Sequence, residues 1–201
     1  MEQRFIGKRA FVTGTGSGIG RATAIRLGAE GAHVACVDLS AEGAAETAAA
    51  IRADGGMAWS SGCDVSDEDQ VSEAIAAFVA EAGGLEVVCN IAGIGHFAHS
   101  HEESKEWFDR IIGVNLTGTF LVSNHALPHL MASGNGVIVN TASNAGIMGQ
   151  PWSAAYCASK GGVVMMTKAM GFEYLKKGVR VNAVAPGGTN TNITASFGLP
   201  D

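Results

Sequence analysis

No apolar run in this chain approaches the ~20 residues that a membrane-crossing helix needs, so a membrane span is not expected. The opening residues 1–10 carry no apolar core of the secretory kind, so no signal peptide is expected. Positive charge is also short: 13 Lys and Arg stand against 19 Asp and Glu, a formal net charge of -6. Non-specific nucleic-acid binding needs a basic face, and that balance argues against one. Cysteine is limited to Cys36, Cys63, Cys89 and Cys157, with no CxxC spacing. Three of the four lie in apolar strand-like runs, where a small buried thiol is the expected role. That usage fits a reducing, cytoplasmic compartment. Linkers, repeats and low-complexity segments are absent, so residues 1–201 read as one domain. Glycine, by contrast, is abundant at 28 residues, which implies tight turns and close backbone approaches.

Short apolar runs alternate with helical patterns along the whole chain. The runs at 10–13, 33–38, 57–64, 85–90, 136–142 and 178–185 are mostly continuous, as in strands buried on both faces of a parallel sheet. The clearest helix covers 67–82, where Val71, Ile75, Phe78, Val79 and Ala82 recur at helical spacing. Ser66 with Asp69 reads as its capping box, and Gly83-Gly84 as its stop. Residues 41–53 are alanine-rich and helical by propensity. This order predicts an α/β fold, a doubly wound parallel sheet with helices on both faces.

The first run leads into Thr13-Gly14-Thr15-Gly16-Ser17-Gly18-Ile19-Gly20, followed directly by a helical pattern. Glycines there let the backbone turn sharply and approach a pyrophosphate, whose charge the helix N-terminus favours. The spacing is T-G-x-x-x-G-x-G rather than G-x-G-x-x-G, because the sixth position from Gly14 is Ile19. A purely structural turn is the competing reading, and placement between strand and helix weighs against it. Asp38 ends the second run, 18 residues after Gly20. A carboxylate there accepts from both adenosine ribose hydroxyls and repels a 2′-phosphate, and Leu39 after it supplies no cation, so NAD is expected over NADP. Asp64 and Val65 after the third run are positioned to cap the adenine ring.

Tyr156 and Lys160 are four apart and share a helical face. Tyrosine ordinarily titrates at about 10, too high for a base near neutrality, and a neighbouring ammonium favours the phenolate. The spacing alone is common by chance. Ser143, at the end of the fifth run and 13 residues earlier, Asn115 in a long helix, and Asn90-Ile91-Ala92-Gly93 give it weight.

Taken in this order, the glycine turn, Asp38, Asp64-Val65, the Asn90 segment, Asn115, Ser143, Tyr156-x-x-x-Lys160 and Pro186-Gly187 resemble the short-chain dehydrogenase/reductase family across nearly the whole chain. The resemblance implies a Rossmann-like sheet in the order 3-2-1-4-5-6, NAD as cofactor, and hydride transfer to or from a small-molecule secondary alcohol or ketone. It implies that Tyr156 exchanges the substrate proton, Ser143 hydrogen-bonds the substrate oxygen, Lys160 holds the nicotinamide ribose and lowers the tyrosine pKa, and Asn115 fixes a water. Asn90, Ala92, Gly93, Pro186, Gly187, Thr189 and Thr191 join the glycine turn around the cofactor. Ile91 replaces the family's frequent second asparagine, and Thr189 stands in a usually apolar slot. Family members usually continue through a substrate-covering helix and a seventh strand, which are absent from these 201 residues. A homotetramer or homodimer through long helices near 103–131 and 152–177 is also implied. A cofactor-binding but inactive module, or dehydration, epimerisation or enoyl reduction by the same residues, are the alternatives.

His96, His99 and His101 cluster in one loop, but no companion cysteine or carboxylate set has metal-ligand spacing, so no metal is expected. His96 is expected nearest the substrate. Asn144, Met148, Gln150 and Trp152 after Ser143 are expected to face it too, with a core role equally open for Trp152.

Overall fold

The structure is a computed structural model that describes residues 2–189. The strands are β1 (Arg9–Thr13), β2 (His33–Asp38), β3 (Met57–Gly62), β4 (Val87–Asn90), β5 (Gly136–Thr141) and β6 (Val179–Val184). The helices are α1 (Gly18–Ala29), α2 (Ala41–Ala53), α3 (Glu68–Ala82), α4 (Lys105–Ile112), α5 (Gly118–Ala132), α6 (Ala145–Met148) and α7 (Ala154–Tyr174). The strands pair in parallel as one sheet in the order β3-β2-β1-β4-β5-β6.

Continuous apolar strands follow from helices on both faces. On one face α1 and α2 meet the sheet through Val12, Val34, Cys36, Leu27 and Ile51. On the other, α3, α5 and α7 pack through Phe11, Ile75, Phe78, Leu130, Ile138 and Met170. β1 pairs with both β2 and β4, so the winding direction reverses between them. Such a reversal opens a crevice at the carboxyl ends of the strands, where Thr13, Asp38, Asn90 and Thr141 lie.

Three local expectations are corrected. The third strand stops at Gly62 rather than at residue 64, because the β2 ladder ends with Asp38 opposite Gly62. The cap of α3 is Asp67, whose carboxylate accepts from Gln70 N at 3.1 Å, and not Ser66 with Asp69. Ser66 is engaged instead with Asp64, its hydroxyl donating to Oδ1 at 2.7 Å. The helix expected at 103–131 is also interrupted: a π-helical turn, Gly113–Thr117, separates α4 from α5 and carries Asn115.

Candidate active site

A cavity of about 990 Å³ runs along the carboxyl ends of the strands. One end is walled by the glycine turn. Gly14 has a left-handed φ of +73°, and a Cβ there would stand 2.8 Å from Ala92 N. Gly16 leaves room for the Asp38 carboxylate, which accepts from Gly16 N at 2.8 Å and from Ser40 N at 2.9 Å. Side chains cap α2, α3 and α4 at Ser40, Asp67 and Ser104, whereas Ser17 at the start of α1 makes no side-chain cap. The first turn of α1 therefore presents uncapped N–H groups beside Ser17, Gly18 and Ile19, which line the cavity. Gly20, Asp38, Leu39, Asp64, Val65, Ala92 and Gly93 line it as well.

At the other end the cavity meets Ser143, Tyr156, Lys160, Pro186, Gly187 and Thr189. The Ser143 hydroxyl donates to Asn144 Oδ1 and accepts from Ala145 N, both at 3.2 Å, and Tyr156 lies near enough to feel its dipole. Lys160 is buried and donates from Nζ to the Thr141 carbonyl at 2.7 Å. α7 comes this close because Gly146 lacks a side chain: a Cβ there would lie 2.5 Å from the Lys160 carbonyl carbon. Asn115 lies just behind the wall, fully buried. Its Oδ1 accepts from Ile94 N at 2.8 Å, and its Nδ2 donates to Ile94 O at 2.9 Å and to Ser159 Oγ at 3.1 Å. A Cβ on Gly93 would fall 3.2 Å from Asn115 Oδ1 and 3.5 Å from Lys160 Nζ, so the glycine leaves open space between those groups.

The electrostatics differ from the expectation. Burial pushes the Tyr156 phenol above its ordinary value, against the nearby Ser143 hydroxyl, which pulls it down. Lys160 does not reverse this, because burial equally disfavours its own charge and pushes the ammonium from 10.5 to about 8. The folded chain thus holds this proton more weakly than the unfolded chain. The resulting cost, about 3 kcal/mol, is complete while both states are protonated and fades once the folded state gives the proton up. Stability therefore recovers as pH rises from about 8 towards 10.5. We expect Lys160→Met to melt above the wild type at pH ~7 and the gap to close by pH ~10. Calorimetry across that range checks it, and a gap that widens with pH would refute the assignment.

Several residues expected at the site do not line the cavity. Asn90 does not line the cavity; its amide turns inward to Ser123 Oγ at 3.0 Å and Asn140 Oδ1 at 2.8 Å. His96 also faces away. Its ring stacks on Trp107 with centroids 4.4 Å apart, and Nδ1 meets Glu103 Oε1 at 3.1 Å. Gly95 and Phe97 on either side line the cavity, as does Ile94. Met148 is 83% exposed and Trp152 sits at the rim, its carbonyl accepting from Ala98 N at 2.9 Å. Neither lines the cavity, while Asn144 and Gln150 do. Thr191 lies outside the described residues. Sequence reasoning missed Ile94, Phe97 and Arg110 on the wall. For Phe97, its place next to His96 in the loop was the available signal; Ile94 had none.

A family model described as short chain dehydrogenase matches residues 8–199. The chain belongs to that family. This short-chain dehydrogenase is 44% identical over 196 residues to 2,5-dichloro-2,5-cyclohexadiene-1,4-diol dehydrogenase of Sphingobium indicum, covering 98% of this chain and 78% of that one. It is 43% identical over 201 residues to cis-4-hydroxycyclohexanecarboxylate dehydrogenase of Sinomonas cyclohexanicum, covering 100% of this chain and 80% of the relative. Among solved structures, NAD+-bound xylitol dehydrogenase superposes with a TM-score of 0.90 at 36% identity, over 93% of this chain and 73% of that one. The short-chain dehydrogenase is accordingly an oxidoreductase of CH–OH groups.

Proposed function

We propose that the chain interconverts a ring-borne secondary alcohol and its ketone with NAD, and that Tyr156 handles the substrate proton. One observation carries the reading. Ser143, Tyr156 and buried Lys160 share a single cavity with the glycine turn and Asp38. Two relatives named for cyclohexane- or cyclohexadiene-ring alcohols support the ring.

The residues present fit a dinucleotide. The uncapped first turn of α1 offers N–H groups to a diphosphate. Asp38 would accept from the adenosine ribose hydroxyls, Lys160 Nζ would donate to the nicotinamide ribose, and Asp64-Val65 would border the adenine. At about 990 Å³ the cavity sits at the upper end of the roughly 300–1,000 Å³ range of ligand pockets. When bound, NAD supplies the hydride acceptor, and NADH the donor.

The chain's own groups supply the rest. Ser143 Oγ hydrogen-bonds the substrate oxygen, and Tyr156 Oη gives or takes its proton. A preorganised pair of hydroxyls stabilises charge as it develops on that oxygen. A phenol raised by burial keeps its proton at neutral pH, so the resting chain is ready to protonate a ketone oxygen. Alcohol oxidation needs the phenolate and is favoured at alkaline pH. Ile94 and Phe97 provide an apolar wall against a ring.

The test is turnover of a panel of cyclic and acyclic alcohols with NAD, followed by NADH absorbance. Preference for ring alcohols is expected, and turnover no better than that of Tyr156→Phe would overturn the reading. Cofactor choice is tested separately. Asp38→Ala should weaken NAD about 10- to 100-fold, the worth of hydrogen bonds to a charged group, and improve NADP. Wild-type protein that binds NADP more tightly than NAD would end the Asp38 argument.

A further inference from the structure

Seven buried polar side chains form one connected path through the core: Ser159, Asn115, Thr119, Ser123, Asn90, Asn140 and Thr167. The path leaves α7 at Ser159, which accepts from Asn115 Nδ2 at 3.1 Å. The Asn115 carbonyl accepts from Thr119 Oγ1 at 2.8 Å, and the Thr119 carbonyl from Ser123 Oγ at 2.7 Å. Asn90 Nδ2 donates to Ser123 Oγ at 3.0 Å and to Asn140 Oδ1 at 2.8 Å. Asn140 Nδ2 then donates to Thr167 Oγ1 at 2.9 Å, back on α7. The two anchor points on α7 are eight residues apart, or about 12 Å along the axis.

Apolar packing specifies only part of this helix. Val163 is fully buried and Leu116 closes onto Gly162, but Met166 and Met170, around the second anchor, reshape themselves to fit. Hydrogen bonds are directional and weaken steeply when bent. Two of them, widely spaced, fix both the rotation and the rise of α7. Asn140 has a second lever: the next residue, Thr141, supplies the carbonyl that receives Lys160 Nζ at 2.7 Å.

We propose that Asn140 and Thr167 are positioning residues, whose hydrogen bond sets α7 against β5 and so places Tyr156 and Lys160 relative to Ser143. The proposal rests on the reading of Tyr156 given above. It predicts a catalytic defect from a side chain on the second anchor, more than two turns along α7 from Tyr156.

The test compares Thr167→Val, which removes the hydroxyl at nearly constant shape, with Thr167→Ser, which keeps it. For Thr167→Val, kcat should fall roughly 10- to 100-fold, as expected for sub-ångström to ångström misplacement of reacting groups. KM for NADH should stay within about twofold, because the glycine turn and Asp38 are untouched. Thr167→Ser should restore kcat to near the wild-type value. Crystal structures provide a readout independent of turnover: the Lys160–Thr141 bond should be lost, or the Ser143–Tyr156 separation lengthened, in Thr167→Val, and both should be kept in Thr167→Ser. Wild-type kcat with that bond and that separation unchanged in Thr167→Val would overturn the proposal, whatever happens to Tm. So would an equal loss in Thr167→Ser, which would assign the effect to the methyl group. A wild type inactive on every alcohol would count against the functional reading, and the crystal structures would still decide the positioning role.

Discussion

Tyr156→Phe should lower kcat by about 10³-fold while leaving NADH affinity within about twofold. The substitution deletes one oxygen and keeps the ring, so packing around the start of α7 is unchanged. What is lost is the group that moves the proton and one of the two hydroxyls, on Ser143 and Tyr156, that border the same part of the cavity. A positioned general acid–base contributes ~10²–10⁴-fold and a charge-stabilising donor ~10²–10³-fold; Tyr156 serves as both. These terms act together and do not simply multiply. NADH affinity is spared because the α1 turn and Asp38 lie at the far end of the cavity. Steady-state kinetics paired with NADH fluorescence titration separate the two quantities. A variant with a tenth or more of wild-type kcat would remove Tyr156 from the chemistry. A variant that no longer binds NADH would give it a structural role instead.

The large features were legible because each is written in a local pattern with a physical cause. Continuous apolar runs such as 33–38 mark strands covered on both faces, and β2 spans that range. Ala41–Ala53 forms the helix its propensity requires. Less legible was anything decided by which way one side chain turns. Asn90 looked like a cofactor contact, but the polar path to Ser123 and Asn140 draws its amide into the core. His96 looked like a substrate residue until its stacking on Trp107, eleven positions away, turned it outward. The Tyr156 pKa depends on depth of burial, which sequence spacing does not encode. Four-residue spacing implied an ammonium beside the phenol, yet Lys160 Nζ lies 5.9 Å from the ring centroid and is spent on a carbonyl. The π-turn at Asn115 is a further case, since its neighbours Gly113 and Gly118 read as ordinary helix.

Gly20→Ala should abolish measurable NADH binding, a loss of roughly 100-fold or more, and lower Tm. The argument is steric. A Cβ at this position would stand 1.9 Å from the Gly14 carbonyl oxygen and 2.5 Å from its carbon. Both are backbone atoms of the turn, so no side-chain rotation can relieve the contact. Nor can Gly14 retreat freely, because its own missing side chain lets it lie against Ala92 N, at 2.8 Å from where a Cβ would be. The turn must therefore shift as a body, which puts at risk the bond from Thr15 N to Val37 O at 3.2 Å and that from Gly16 N to Asp38 Oδ2 at 2.8 Å. Those two bonds hold the turn in register with Asp38, beside the first-turn N–H groups of α1. Overpacking of this kind costs about 1–3 kcal/mol in stability, but its effect on binding is larger because the displaced atoms are the binding site itself. Gly28→Ala separates the two effects. It lies on the same helix, where a Cβ would meet Ile51 Cγ2 at 2.5 Å, a buried core methyl that is no part of the turn or of the cavity wall. That variant should lose Tm and keep NADH affinity. If Gly20→Ala binds NADH as well as Gly28→Ala does, the turn is not where the diphosphate sits.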